Sequence, residues 1–206
     1  MFVLMLTPDR ARTRAEPSGR DRVEALAAVL NPIAGRRPLE RTLGDEAILL
    51  PSRAEHAVQA LCAVSETGAW RAGLGVGAVS TPLPDQARAV TGPAVDAARA
   101  ALQDARTTAQ VPLSIRAGDP RHADTAADAE AVLRLIGWMI ATRSTGQWTV
   151  VRALRKEPGR TQRELAEHLG ITQQTVSRSL KTSGWREESA AHPLLVRLLA
   201  MIDLTS

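Results

Sequence analysis

Between residues 161 and 180 the chain reads TQRELAEHLGITQQTVSRSL, and its polar side chains carry the first candidate chemistry. Gln173, Gln174, Thr175, Ser177, Arg178 and Lys181 would share the outer face of one short helix. Gln pairs bidentately with adenine in the major groove, and Arg with guanine. Hydroxyl and ammonium groups suit phosphate oxygens. The chemistry is therefore non-covalent reading of double-stranded DNA. Gln173, Gln174 and Arg178 are the expected base contacts. Thr172, Thr175, Ser177 and Lys181 would fix the helix on the backbone, with Thr161 and Arg163 reaching phosphate from the helix before it. The alternative reading is a helical hairpin used only for protein contacts.

The elements that must hold these groups are legible in the same stretch. A helix-turn-helix needs a small residue where its helices cross, and Ala166 is there. The turn needs a residue that tolerates positive φ, and Gly170 follows four residues later. Val176, six residues beyond, would pack back on the first helix, with Leu165, Leu169, Ile171 and Leu180 completing the core. Thr161 with Glu164 spells a capping box, and Thr172 is a plausible N-cap for the second helix. After Lys181 the pattern returns to helix, so a tri- or tetra-helical unit is expected rather than one with a β-hairpin wing.

A second candidate is acidic. Asp9 ends an apolar strand pattern and Asp45 sits on a hairpin tip, Gly44-Asp45-Glu46. Two converging carboxylates could hold Mg²⁺ for phosphoryl chemistry. Both could equally be ordinary turn residues. His56, His122, His168 and His192 lie far apart without ligand spacing. Cys62, the only cysteine, and Ser65 with Glu66 lie in a helical pattern with no histidine nearby, so a nucleophile is not expected. The run GLGVG lies inside a strand and lacks the dinucleotide-binding spacing.

Periodicity orders the rest. Strand patterns cover residues 2–6, 39–43, 47–50, 70–79 and 111–115. Helices are expected from Asp21 to the Asn31-Pro32 stop, from a Pro51-Ser52 cap onward, and over 94–105. Arginines 10, 12, 14, 20 and 22 in and beside the 10–20 loop could touch phosphate, although a solvated loop is the simpler reading. From Thr125 the pattern is helical throughout: 126–142, 147–156, 163–168, 173–181 and 187–203. Val132, Leu133, Leu135, Ile136, Trp138, Met139 and Ile140 make the first of these a linker and dimer seam, or a row packed inside the chain.

The composition is ordinary for a globular protein, with 44% hydrophobic residues and 2% aromatic, so Ala, Val, Leu and Ile must build the core. A single cysteine excludes an internal disulfide and fits a reducing compartment. The net charge is +4, and only Lys156 and Lys181 among 26 basic residues are lysines. No run is long enough to span a membrane. A cytoplasmic protein with no membrane partner is expected.

The run ITQQTVSRSL resembles the recognition helices of MarR-like regulators, over about residues 147–182. LERTLGDEAILLPSRAEHAVQAL resembles the hairpin and helix of GGDEF-type and class III nucleotide cyclases. WRAGLGVGAV is similar to their Gly-rich strand, and TGPAVDAARAAL to the segment that opens their next helix. As a whole the chain resembles the SatD-like family, over about residues 2–118 and more loosely beyond. These resemblances imply a ferredoxin-like, cyclase-type palm in which Asp9 and Asp45, with Glu46 beside it, occupy the metal positions. Several positions depart from that pattern. Leu43 replaces a glycine and Ala47 an aromatic. Asp96 stands where cyclases have Asn, with Arg99 only three residues on, and residues 1–150 hold no lysine. A degenerate, non-enzymatic palm is the implication, used for sensing or dimerisation.

The expected fold class is thus α+β. Residues 1–120 would form the cyclase-like domain, 121–146 a linker helix and 147–206 an all-α helix-turn-helix domain. The expected function is sequence-specific DNA binding in transcriptional regulation, as a homodimer and without a required cofactor. The alternative is a Mg²⁺-dependent nucleotide-binding or cyclase-like enzyme.

Overall fold

The computed structural model describes residues 1–9, 11, 21–35, 37–108 and 110–204. Arg10, Arg12, Arg14 and Arg20 of the arginine-rich loop lie outside the described residues; Arg22 opens the first helix.

The elements run β1 (Phe2–Pro8), α1 (Arg22–Ala34), β2 (Glu40–Arg41), β3 (Ala47–Leu49), α2 (Ala54–Thr67), β4 (Trp70–Val76), α3 (Pro93–Thr107), β5 (Leu113–Ala117), α4 (Ala123–Ala141), α5 (Thr145–Lys156), α6 (Gln162–Leu169), α7 (Gln173–Thr182) and α8 (Trp185–Leu204). This is a mixed α+β chain: one five-stranded sheet in the order β2-β3-β1-β4-β5, followed by helices. β1 runs antiparallel to both β3 and β4, and β5 lies parallel to β4.

Alternation along β1 and β4 decides which helices cover which face. Val3 joins Ile48, Leu50, Ala94, Val95 and Ala98 beneath α3. Phe2, Leu4 and Leu6, with Trp70, Ala72, Leu74 and Val76, face α1, α2, α4 and α8. The glycines of β4 explain how α3 comes so close. A Cβ on Gly73 would land on the α3 backbone at Ala98 and Leu102, and one on Gly75 on Ala94 and Ala98. Gly75→Ala is therefore expected to force strand and helix apart and cost about 1–3 kcal/mol in urea unfolding. Gly159→Ala, where a Cβ meets nothing, should stay within about 0.5 kcal/mol of wild type.

Four local expectations need correction. The first helix does not stop at Asn31-Pro32: Pro32 lies inside α1, which continues to Ala34. Leu30 and Ala34 are fully buried there, and that packing holds the extra turn. The Pro51-Ser52 cap fails too, because Arg53 takes the N-cap place without a side-chain bond, while Ser52 pairs with His56. β4 ends at Val76, before Gly77 turns to positive φ. β5 is shifted two residues along, since Pro112 has no N–H to give the ladder.

The last helices divide between two cores. Ala126, Ala129, Leu133, Ile136 and Ile140 of α4 pack with Leu195, Leu199 and Ile202 of α8 in the core under the sheet. Leu135 and Trp138 on the other side of α4 stay exposed, at 66% and 54%. Val150, Leu165, Ala166, Val176 and Leu180 form a separate small core within α5, α6 and α7. No helix among the described residues is long and apolar enough to cross a membrane.

Candidate nucleic-acid interface

The turn between α6 and α7 has the geometry its sequence calls for. Thr161 Oγ1 accepts from the Glu164 N–H at 3.3 Å, and the Glu164 carboxylate accepts from the Thr161 N–H at 2.7 Å. The Thr161 N–H and the Thr161 hydroxyl, which donates at 2.9 Å, both favour the ionised carboxylate, so the Glu164 carboxyl lies below its usual range. Gly170 ends α6 in the left-handed region, at φ 65°. There an L side chain would be strained, and the chain reverses in a single step. Thr172 caps α7 through the Thr175 N–H at 3.1 Å. Ala166 and Val176 are buried where the two helices meet.

With the apolar side of α7 turned inward, its polar side faces outward. Gln173, Gln174, Thr175, Ser177, Arg178 and Lys181 are all exposed. Arg178 and Lys181 make no ion pair among the described residues, so both charges stand ready for an anion. Arg163, on α6, is exposed but pairs with Glu167 at 3.2 Å. The Thr172 and Thr175 hydroxyls lie 2.9 Å apart and take part in the cap. One core expectation fails: Ile171 is 37% exposed, because the turn carries it past the α6–α7 seam. The chain after α7 passes through Ser183 and Gly184 directly into α8, with no strand among the described residues of this half.

Of the acidic residues, Asp45 and Glu46 line a cavity of about 590 Å³ together with Thr7, Gly44, Arg71 and Arg106. Asp9 is buried, and Arg71 donates to it at 3.0 Å. Asp45 faces Arg41 at 3.4 Å, and Glu46 faces Arg106 at 2.7 Å. Each carboxylate thus has a guanidinium where a divalent cation would need open oxygen lone pairs. A divalent cation here would have to share each carboxylate with its arginine.

A further cluster was not expected from spacing. Glu188, fully buried at the start of α8, accepts from Arg143 and from Arg155 (2.8 Å), and Arg155 also pairs with Glu66 on α2. Arg143 Nε donates to the Ser183 carbonyl at 2.8 Å. Arg155 lies 4.7 Å over the Trp185 ring and Arg143 4.9 Å over Trp148. The α5–α7 unit is tied to α2 and α8 through this charged knot. Beside it, His192 Nε2 is 3.5 Å from Cys62 Sγ, so the cysteine does have a histidine neighbour, 130 residues away. Burial, and then the Glu188 charge, push the Cys62 thiol up to about 12, which leaves it inert as a nucleophile. Burial alone would raise the Glu188 carboxyl. Hydrogen bonds from His192 and Arg143 and the charges of Arg143 and Arg155 outweigh it and hold the carboxyl below its usual range.

Neither a curated protein nor a solved structure matches the chain. The MarR family model matches residues 142–182, the segment that holds α5, α6 and α7. This segment is thus similar to a MarR-type helix-turn-helix, which points to a DNA-binding transcriptional regulator.

Proposed function

We propose that the protein binds double-stranded DNA at specific sequences through α7 and regulates transcription there. The observation that carries this reading is the outer face of α7. Gln173, Gln174, Thr175, Ser177, Arg178 and Lys181 stand exposed on a helix whose inner side, Val176 and Leu180, is buried. Gln173, Gln174 and Arg178 read base edges, and Thr172, Thr175, Ser177, Lys181, Thr161 and Arg163 fix the register on the backbone. One such helix covers a single half-site, so the working form is a homodimer on paired half-sites. The exposed Leu135 and Trp138 of α4 offer apolar surface for that pairing.

The N-terminal half serves as a sensing or dimerising domain of degenerate cyclase type. The antiparallel order β2-β3-β1-β4, with its two intervening helices α1 and α2 on one face, supports a ferredoxin-like palm. The arginine partners of Asp9, Asp45 and Glu46 speak against nucleotide turnover at that end.

The test is binding of a labelled duplex pool across a salt series. Affinity should fall linearly on logarithmic axes, with a slope of about −0.9 for each phosphate neutralised. Lys181→Ala should make the slope shallower by about 1 without changing sequence preference. Absence of duplex binding at low salt would end this reading.

A further inference from the structure

The trio beside the charged knot has the make-up of a metal site. Among the described residues, Cys62, Glu188 and His192 are the one group of three such side chains whose ligand atoms all lie within 4.8 Å of one another. Glu188 and His192 are four residues apart on α8, so both project from one helix face. Cys62 comes from α2, across the packed interface. Around a four-coordinate Zn²⁺ with bonds of about 2.0–2.3 Å, neighbouring ligand atoms sit roughly 3.3–3.6 Å apart. Here Sγ to Nε2 is 3.5 Å and Nε2 to Glu188 Oε1 is 3.5 Å. Two edges of the tetrahedron are therefore already at coordination length.

We propose that Cys62, Glu188 and His192 bind a thiophilic divalent cation of the Zn²⁺ class, with the fourth position open. A thiolate and an imidazole favour Zn²⁺ or Co²⁺ over Mg²⁺ or Ca²⁺, which prefer all-oxygen shells. Access is through His192, whose side chain is 30% exposed. Glu188 Oε2 stays with Arg143, and the cation takes Oε1 by displacing the Arg155 Nη2 that donates to it at 2.8 Å, while Arg155 keeps its pair with Glu66. On binding, the Cys62 thiol gives its proton to solvent, and the thiolate offsets one of the cation's two charges. The cation would join α2 to the first turns of α8, next to the helices that hold α7.

The test is Co²⁺ titration of the full-length, chelator-treated protein, followed by near-ultraviolet absorption. The wild type should develop a thiolate-to-cobalt charge-transfer band that saturates at one ion per chain and is displaced by Zn²⁺. Cys62→Ser should lose the band, and His192→Gln should bind at least tenfold more weakly. Circular dichroism checks that each variant is folded; if Cys62→Ser is not, the partly exposed His192→Gln decides. No band in the wild type, or unchanged affinity in His192→Gln, overturns the proposal. Neither outcome depends on DNA binding, so the DNA-reading proposal stands or falls separately.

Discussion

Glu188→Ala is expected to destabilise the protein by about 3–5 kcal/mol in urea unfolding, because it leaves a buried guanidinium without its counter-charge. The side chain of Arg143 is 1% exposed and that of Glu188 is not exposed at all. Arg143 Nη1 already lacks a hydrogen-bond partner, and the carboxylate, the Ser183 carbonyl and the Trp148 ring offset the burial of the charge. Arg155 would lose less, since Glu66 and the two Trp rings remain. The same knot sets an acid limit. The Glu188 carboxyl lies below its usual range in the folded protein, so the pair's stabilisation is fully present above the unfolded value of about 4.3. It is lost as pH falls through the lower folded value. Wild type should therefore lose stability between pH 5 and pH 3 (on the order of the ordinary carboxylate range) more steeply than Glu188→Ala. Equal slopes and a small cost at neutral pH would show that the knot is not a structural joint.

Arg178→Ala is expected to cost about 1–3 kcal/mol of specific DNA affinity, roughly 5- to 150-fold, and to relax preference at one base pair. Arg178 is exposed, carries no ion pair among the described residues and lies on the outer face of α7, so its removal leaves the fold intact. Gln174→Ala should act alike at a neighbouring position. Comparison of the wild type and each variant on single-base variants of a bound site separates this loss of reading from a uniform loss of charge. A variant that weakens all sequences equally would make Arg178 a phosphate contact instead.

Local geometry was legible in the sequence wherever one residue type imposes it. Gly170 announced a left-handed turn and Thr161 with Glu164 a reciprocal cap; both are present. Ile171 and Pro32 misled because tertiary packing decided their places: one was carried past the seam, the other held in a helix by buried neighbours. The charged knot and the Cys62–His192 contact left no signal at all. They join side chains 33 to 130 residues apart, and only the return of α8 to the sheet brings them together. Asp9 and Asp45 were correctly placed at the strand end and hairpin tip. Their arginine partners, Arg71 and Arg41, belong to no spacing that marks a cation site.

DNA reading by α7 is tested most directly by selecting fragmented genomic DNA with the purified protein, beside a Gln174→Ala/Arg178→Ala double variant. The account expects the wild type alone to recover one shared, two-fold-symmetric site. Equal, salt-sensitive recovery of all fragments by both proteins would contradict it.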